Sequence, residues 1–133
     1  WFAARRHPVV AVDRVQPDTL SVGVEFLPAD LESGAWPLAG RNFAAIVVTN
    51  YLFRPLFPDL LKSLGPQGWL IYETFAVGNE KYGRPSNPDF LLRPDELLDV
   101  VRGKLQVVAF EHGYQDLPRP AVVQRIAACV APE

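Results

Sequence analysis

The sequence predicts an α/β domain built on a mostly parallel sheet, and three observations carry that prediction. Val9-Val-Ala-Val12 and Phe43-Ala-Ala-Ile-Val-Val48 are unbroken apolar runs, the pattern of strands buried on both faces. A stripe of leucines at 60, 61 and 64 separates the second run from Gly68-Trp-Leu-Ile-Tyr72, and strand–helix–strand alternation requires crossover connections between parallel strands. Leu105 to Phe110 and Val122 to Val130 then read as two strands joined by a turn-rich link around Gly113 to Pro120, so the sheet ends in an antiparallel hairpin.

The remaining elements follow in order. Trp1 to Arg6 has no breaker and stops at His7-Pro8, which marks the tail of a helix because proline disfavours the helical region in the residue before it. The chain opens on Trp1 rather than Met and shows no basic, apolar, small-residue leader, so an upstream segment is expected. Asp13 closes the first strand. Ser21 to Leu27 alternates more loosely as a short strand, and Pro28 to Gly40 is a loop containing Asp30, Glu32 and Trp36. Thr49-Asn50-Tyr51 stands at the exit of the central strand. The helix of Pro58 to Leu64 is expected to stop at Gly65-Pro66, and Glu73 and Thr74 leave the strand after it. Ala76 to Leu92 lacks an apolar period; a connection of that length is usually a lid or a binding loop. Arg93 to Arg102 resumes a helix with Pro94 early, acids in its first turn and Gly103 as its stop.

Composition narrows the function classes. The chain has 133 residues, which suits one domain at the usual ~100–200, and 49% hydrophobic against 21% charged residues is the composition of a packed protein. Thirteen Lys and Arg against fifteen Asp and Glu give a net charge of −2 with no basic cluster, which argues against nucleic acid as the primary partner. A lone cysteine, Cys129, and the lack of zinc-type Cys/His spacing suggest a reducing compartment such as the cytoplasm, with no metal. Apolar runs such as Ala44 to Val48 fall far short of the ~20 residues of a membrane span. Neither a Gly-x-Ser-x-Gly turn nor a phosphate-binding loop is written in the chain, so hydrolase and kinase chemistry have no support.

In open parallel sheets ligands bind beyond the C-terminal strand ends, and three polar groups fall on such ends. Asp13 follows one strand, Asp30 lies just past the next, and Asn50 follows the third, so carboxylates and an amide are placed to hold a ribose and an adenine amino group. The alternative for each alone is plainer: Asp13 caps a following helix, and Asp30 sits in a solvated loop.

Taken together these residues resemble the class I S-adenosylmethionine-dependent methyltransferases, and more narrowly the small bacterial enzymes similar to tellurite-resistance methyltransferases. The resemblance runs over nearly the whole chain. His7-Pro-Val-Val-Ala-Val-Asp13 looks like the second strand with its ribose-binding acid, and Leu27-Pro-Ala-Asp-Leu31 like the third strand's exit beside adenine. Asn42 to Leu52 is similar to the fourth strand, whose exit lies under the cofactor's methionine and reactive methyl. Leu64-Gly-Pro-Gln-Gly-Trp-Leu-Ile-Tyr-Glu73 matches the signature of leucine, small turn, glycine and apolar strand. Glu73-Thr-Phe and Gly78 to Leu92 resemble the substrate-side insert of that subgroup.

The resemblance implies a Rossmann-like sheet with helices on both faces, strand order 3-2-1-4-5-7-6, and methyl transfer from S-adenosylmethionine to a small-molecule acceptor. It implies cofactor contacts at Asp13, Asp30, Leu31, Asn50 and Tyr51, and substrate contacts at Arg54, Glu73, Tyr82 and Arg84, with no catalytic residue assigned. Two features depart from the pattern. Ala44 stands where an acid usually follows Phe43, and the glycine-rich turn after the first strand is missing, along with that strand. Three arrangements would answer the missing strand: a longer native chain, a strand donated by a second copy in a homodimer, or direct pairing of the two strands that would flank it.

Tyr51, Tyr72, Phe75 and Tyr82 are candidates for a water-poor aromatic pocket around a sulfonium, although Tyr72 and Phe75 equally suit a core. Arg54 and Arg84 suit an oxyanion, or else solvent. His7 ends a helix; His112 lies at a strand end, either as a base near a pocket mouth or facing water. Besides methyl transfer, two other functions fit parts of the pattern: a methyltransferase-like remnant serving as an interaction module, and a nicotinamide-dependent dehydrogenase.

Overall fold

The computed structural model describes residues 1–132. The chain divides into two compact units, Trp1–Ala39 and Gly40–Glu133. Among the described residues no helix is long and apolar enough to cross a membrane.

In the first unit the expected helix tail is a single 3-10 turn, Ala3–Arg5, closed by Arg6 at φ 65°. The Arg5 guanidinium stacks 3.8 Å from the centre of the Trp1 ring, so these side chains cover one another locally. Strand β1 (Val9–Asp13) pairs in parallel with β2 (Val24–Pro28), Val9 opposite Val24 and Asp13 opposite Pro28. Strand β2 begins later than the alternation from Ser21 suggests, because the Val24 N–H donates to the Ser21 carbonyl across a turn in which Gly23 takes φ 88°. The apolar residues of β1 are half-buried rather than enclosed on both faces.

The second unit contains β3 (Phe43–Thr49), α1 (Phe57–Lys62), β4 (Leu64–Phe75), α2 (Glu96–Val101), β5 (Gln106–Gln115) and β6 (Ala121–Cys129). They form one mixed sheet in the order β3-β4-β6-β5, with β3 and β4 parallel and the other two pairings antiparallel. The C-terminal pair is antiparallel as the sequence suggests. Strand β3 is an outer strand of this ladder with Val47 45% exposed, so its unbroken apolar run does not mean burial on both faces here.

Alternation along the strands separates the two faces. Leu70, Tyr72, Thr74, Gln124, Ile126 and Ala128 point to one face and are all buried. Both helices reach that face: Phe57 of α1 meets the Tyr72 ring edge-on at 5.8 Å, and the Leu97 N–H of α2 donates to the Gln124 side chain. The opposite face leaves Trp69 and Ile71 37% and 39% exposed. Within this unit the described helices therefore serve one face, where the resemblance implies both.

Further boundaries differ from the sequence reading, among them the end of β5, which reaches Gln115 inside the expected turn-rich link. Gly65-Pro66 does not end a helix; α1 stops at Lys62 and β4 starts at Leu64, shifting register against β3 between Phe43 and Ala45. Helix α2 begins at Glu96, because Asp95 takes φ 60° and makes no side-chain cap hydrogen bond. Residues 76–92 are not structureless; they contain the 3-10 turns Asn79–Lys81 and Pro88–Phe90 and a parallel bridge from Ala76 to Leu92.

Candidate functional site

The first unit brings two acid-bearing strand exits together. Because Asp13 lies opposite Pro28, Asp30 follows only two residues beyond its partner, and the Ala29 N–H extends the pairing to the Asp13 carbonyl at 2.9 Å. An Asp13 carboxylate oxygen accepts from the Arg14 N–H at 2.7 Å. No helix follows it, so Asp13 is not a helix cap. Asp30 folds back to accept from the Glu32 N–H at 3.0 Å. That bond, then the Ser33 hydroxyl and the charge of Arg14, hold its carboxyl below the usual carboxylate range against a smaller effect of burial. Leu31 follows, half-buried.

In the second unit the exits of β3 and β4 are tied to one another. Asn50 takes φ 53°, a conformation asparagine tolerates better than most residues, and its N–H donates to the Glu73 carbonyl at 2.9 Å. The Tyr51 carbonyl accepts from the Tyr72 hydroxyl at 2.6 Å. Tyr72 is thus a core residue with a positioning bond; burial foremost, then the neighbouring Tyr51 and Glu96, raise its phenol well above the ordinary tyrosine value. Asn50, Tyr51 and Glu73 therefore meet at one end of the β3–β4 pair.

The sequence reading placed Arg54 toward substrate, but its guanidinium is already engaged. Nε donates to Glu96 at 2.7 Å and Nη2 to the other carboxylate oxygen at 2.9 Å, a two-pronged pair, while Nη2 and Nη1 also donate to the carbonyls of Leu91 and Asp89. Glu96 is buried, and burial disfavours its charge most; the Arg54 bond, the Arg93 N–H and the two arginine charges outweigh this and hold its carboxyl low. Arg54 is a clamp that fixes the end of the 76–92 segment.

Glu73 pairs with Arg125 at 3.2 Å, and Arg125 also donates to Glu111 and Gln115. Tyr82 is 48% exposed and lies 5.1 Å from the Tyr114 ring. Arg84 offers its backbone carbonyl to Arg119 at 3.2 Å. Tyr82 and Arg84 thus sit beside the β5–β6 link.

Two buried residues escaped the sequence reading. Asn79 accepts from the Val122 N–H and donates to the Pro85 carbonyl, holding the 76–92 segment to β6. Gln124 is fully buried and bonded to Leu97, Arg93 and His112. A Gln-Arg pair inside the apolar run of Val122 to Val130 was the available signal for the second; Asn79 looks like any other loop residue.

The fold recurs in solved structures. TehB from Haemophilus influenzae matches with a TM-score of 0.65 at 11% identity, over 81% of this chain. An S-adenosylmethionine-dependent methyltransferase from Mesorhizobium loti matches at 0.64 and 16% identity, over 97% of this chain and 85% of its own. The N-methyltransferase NodS from Bradyrhizobium japonicum, in complex with S-adenosyl-L-homocysteine, matches at 0.55 and 14% identity, over 81% of this chain and 56% of its own. The chain shares the fold of S-adenosylmethionine-dependent methyltransferases. It spans 41% of the TehB chain. No family model and no curated protein matches its sequence.

Proposed function

We propose that this chain belongs to an enzyme that transfers a methyl group from S-adenosylmethionine to a small-molecule acceptor. The observation that carries the reading is the pair of carboxylates, Asp13 and Asp30, at neighbouring C-terminal ends of parallel strands in a fold shared with methyltransferases. Ionised carboxylates only accept hydrogen bonds, which suits the paired hydroxyls of a ribose and the amino group of an adenine. The donor set therefore fits the cofactor's nucleoside.

In this reading Asp13 holds the ribose, Asp30 and Leu31 border the adenine, and Asn50 and Tyr51 serve the methionine end. Glu73, Tyr82 and Arg84 lie toward the acceptor, whereas Arg54 is assigned to holding the 76–92 segment. When bound, the cofactor supplies an activated methyl on a sulfonium that departs as a neutral thioether by in-line displacement. The chain's own contribution is then alignment and exclusion of water, with no covalent step on a side chain. The bonds from Asn50 and Tyr51 to β4 support this by holding the β3 exit in one conformation. The same reading has a cytoplasmic location, no nucleic-acid or membrane partner, and a homodimer as the assembly to test by light scattering.

Calorimetric titration with S-adenosylhomocysteine and with NAD tests the reading. Saturable binding of the former alone is expected, weakened about tenfold or more by Asp13→Ala or Asp30→Ala, as for a lost charge-assisted hydrogen bond. Binding of NAD alone, or of S-adenosylhomocysteine with no effect of either substitution, overturns it.

A further inference from the structure

The strand register sets Thr49, Glu73, Arg125 and Glu111 side by side in one row across β3, β4, β6 and β5. Phe75, Val123 and Gly113 form the next row on the same face. His112 belongs to the other face, where its ring meets the buried Gln124. The first row thus runs from the β3 exit, assigned above to the methionine end of the cofactor, through Glu73, assigned to the acceptor side, to the outer strand.

At the outer end of these rows lies a hollow of about 420 Å³, bordered by Glu111, Gly113, Gln115, Val123 and Arg125 among others. Gly113 makes the room, since a Cβ built on it would meet no atom within 4 Å. A hollow of this size suits a small organic molecule.

Arg125 governs the charge of the hollow. Its Nη2 donates to Glu73 Oε1 at 3.2 Å and to Gln115 Oε1 at 2.8 Å, and its Nη1 donates to Glu111 Oε2. One guanidinium between two carboxylates leaves a negative charge in excess. Glu111 meets Arg125 through one oxygen, so its second oxygen is an acceptor open to a ligand, and its side chain is 68% exposed. An anion would find the Arg125 charge already offset, and Arg54 is spent on Glu96. We infer that this hollow takes the amino-bearing end of the methyl acceptor, a protonated amine whose N–H groups donate to Glu111. Glu73 cancels the repulsion that Arg125 would otherwise exert. The inference rests on the methyl-donor reading and gives it a substrate class.

Titration of the full chain, saturated with S-adenosylhomocysteine, with butylamine, 1-butanol and butyrate tests it, followed at the Val123 methyl resonances. Butylamine, cationic at neutral pH, should move them saturably, 1-butanol about tenfold more weakly, and butyrate not at all. Glu111→Gln, at an exposed position, should weaken butylamine about tenfold. Gly113→Leu, which fills the hollow, should abolish the response. An equal response to 1-butanol or butyrate overturns the inference, as does undiminished butylamine binding by either variant or none by the wild type. Any of these with intact S-adenosylhomocysteine binding leaves the methyl-donor proposal standing, whereas loss of S-adenosylhomocysteine binding removes both.

Discussion

Glu96 is the residue whose loss should be felt most, because it answers the Arg54 guanidinium with both oxygens and the Arg93 N–H as well. Removing a carboxylate from such a pair leaves the partner charge poorly solvated, and Arg54 is only partly exposed. Glu96→Ala should cost about 2 kcal/mol by urea denaturation. The sign of its pH dependence follows from a folded carboxyl held low: the contribution is complete above the ordinary value of ~4.3 and fades as pH falls through the folded value, so Glu96→Gln should flatten part of the acid limb of the stability curve. Tyr72 behaves in the opposite sense. Its raised phenol keeps its proton above the ordinary tyrosine value of ~10, and Tyr72→Phe should delete a strongly alkaline step of an absorbance titration. The acids Asp13 and Asp30 were legible in the sequence because a strand's end is marked by the last apolar residue before them. The partnership of Arg54 with Glu96 was not, since forty-two positions separate them and neither has an unusual neighbour.

At the level of elements, β4 shows how a short motif shapes a sheet. A Cβ on Gly68 would lie 2.9 Å from the Gly65 carbonyl oxygen and 3.0 Å from that of Phe43, both backbone atoms at the point where β3 and β4 shift register. Gly68→Ala should therefore cost about 1–3 kcal/mol, read as a lowered denaturation midpoint, whereas Gly113→Ala, with open space around its Cβ, should change little. Each strand's existence was read correctly, from apolar runs or, for β2, from looser alternation, but β5 runs on to Gln115 through residues that read as a turn-rich link. Helix ends were less legible: Pro94 and the acids after it suggest a start at Arg93, but the left-handed turn at Asp95 delays it to Glu96. The order inside 76–92 was hidden for a different reason. The bonds that fasten it to the rest of the unit go to partners distant in sequence, such as Val122 and Arg54, which local periodicity cannot report. Asn79→Ala, which leaves the Val122 N–H and the Pro85 carbonyl without their partner, should speed native-state trypsin cleavage after Lys81 well before global unfolding.

For the molecule as a whole, ligand linkage is the decisive measurement. A ligand that binds only the folded chain, at a hundredfold excess over its dissociation constant, adds about 2.7 kcal/mol, which for a chain of this length raises Tm by on the order of 5–10 °C. S-adenosylhomocysteine should do so, and Asp13→Ala should remove most of the shift. The α/β class and the antiparallel C-terminal pair were legible from the sequence; that β6 enters between β4 and β5 although it is last in the chain was not written in any local pattern and came only with the resemblance, whose implied order places it there. The 76–92 segment carries a longer consequence. Asn79 fastens it at one end and Arg54 at the other, so the dozen or so positions between those rivets can be rewritten as a cassette while every strand keeps its register. Divergence among proteins built this way should gather in that interval, and grafting it alone between two of them is the economical route to a changed preference.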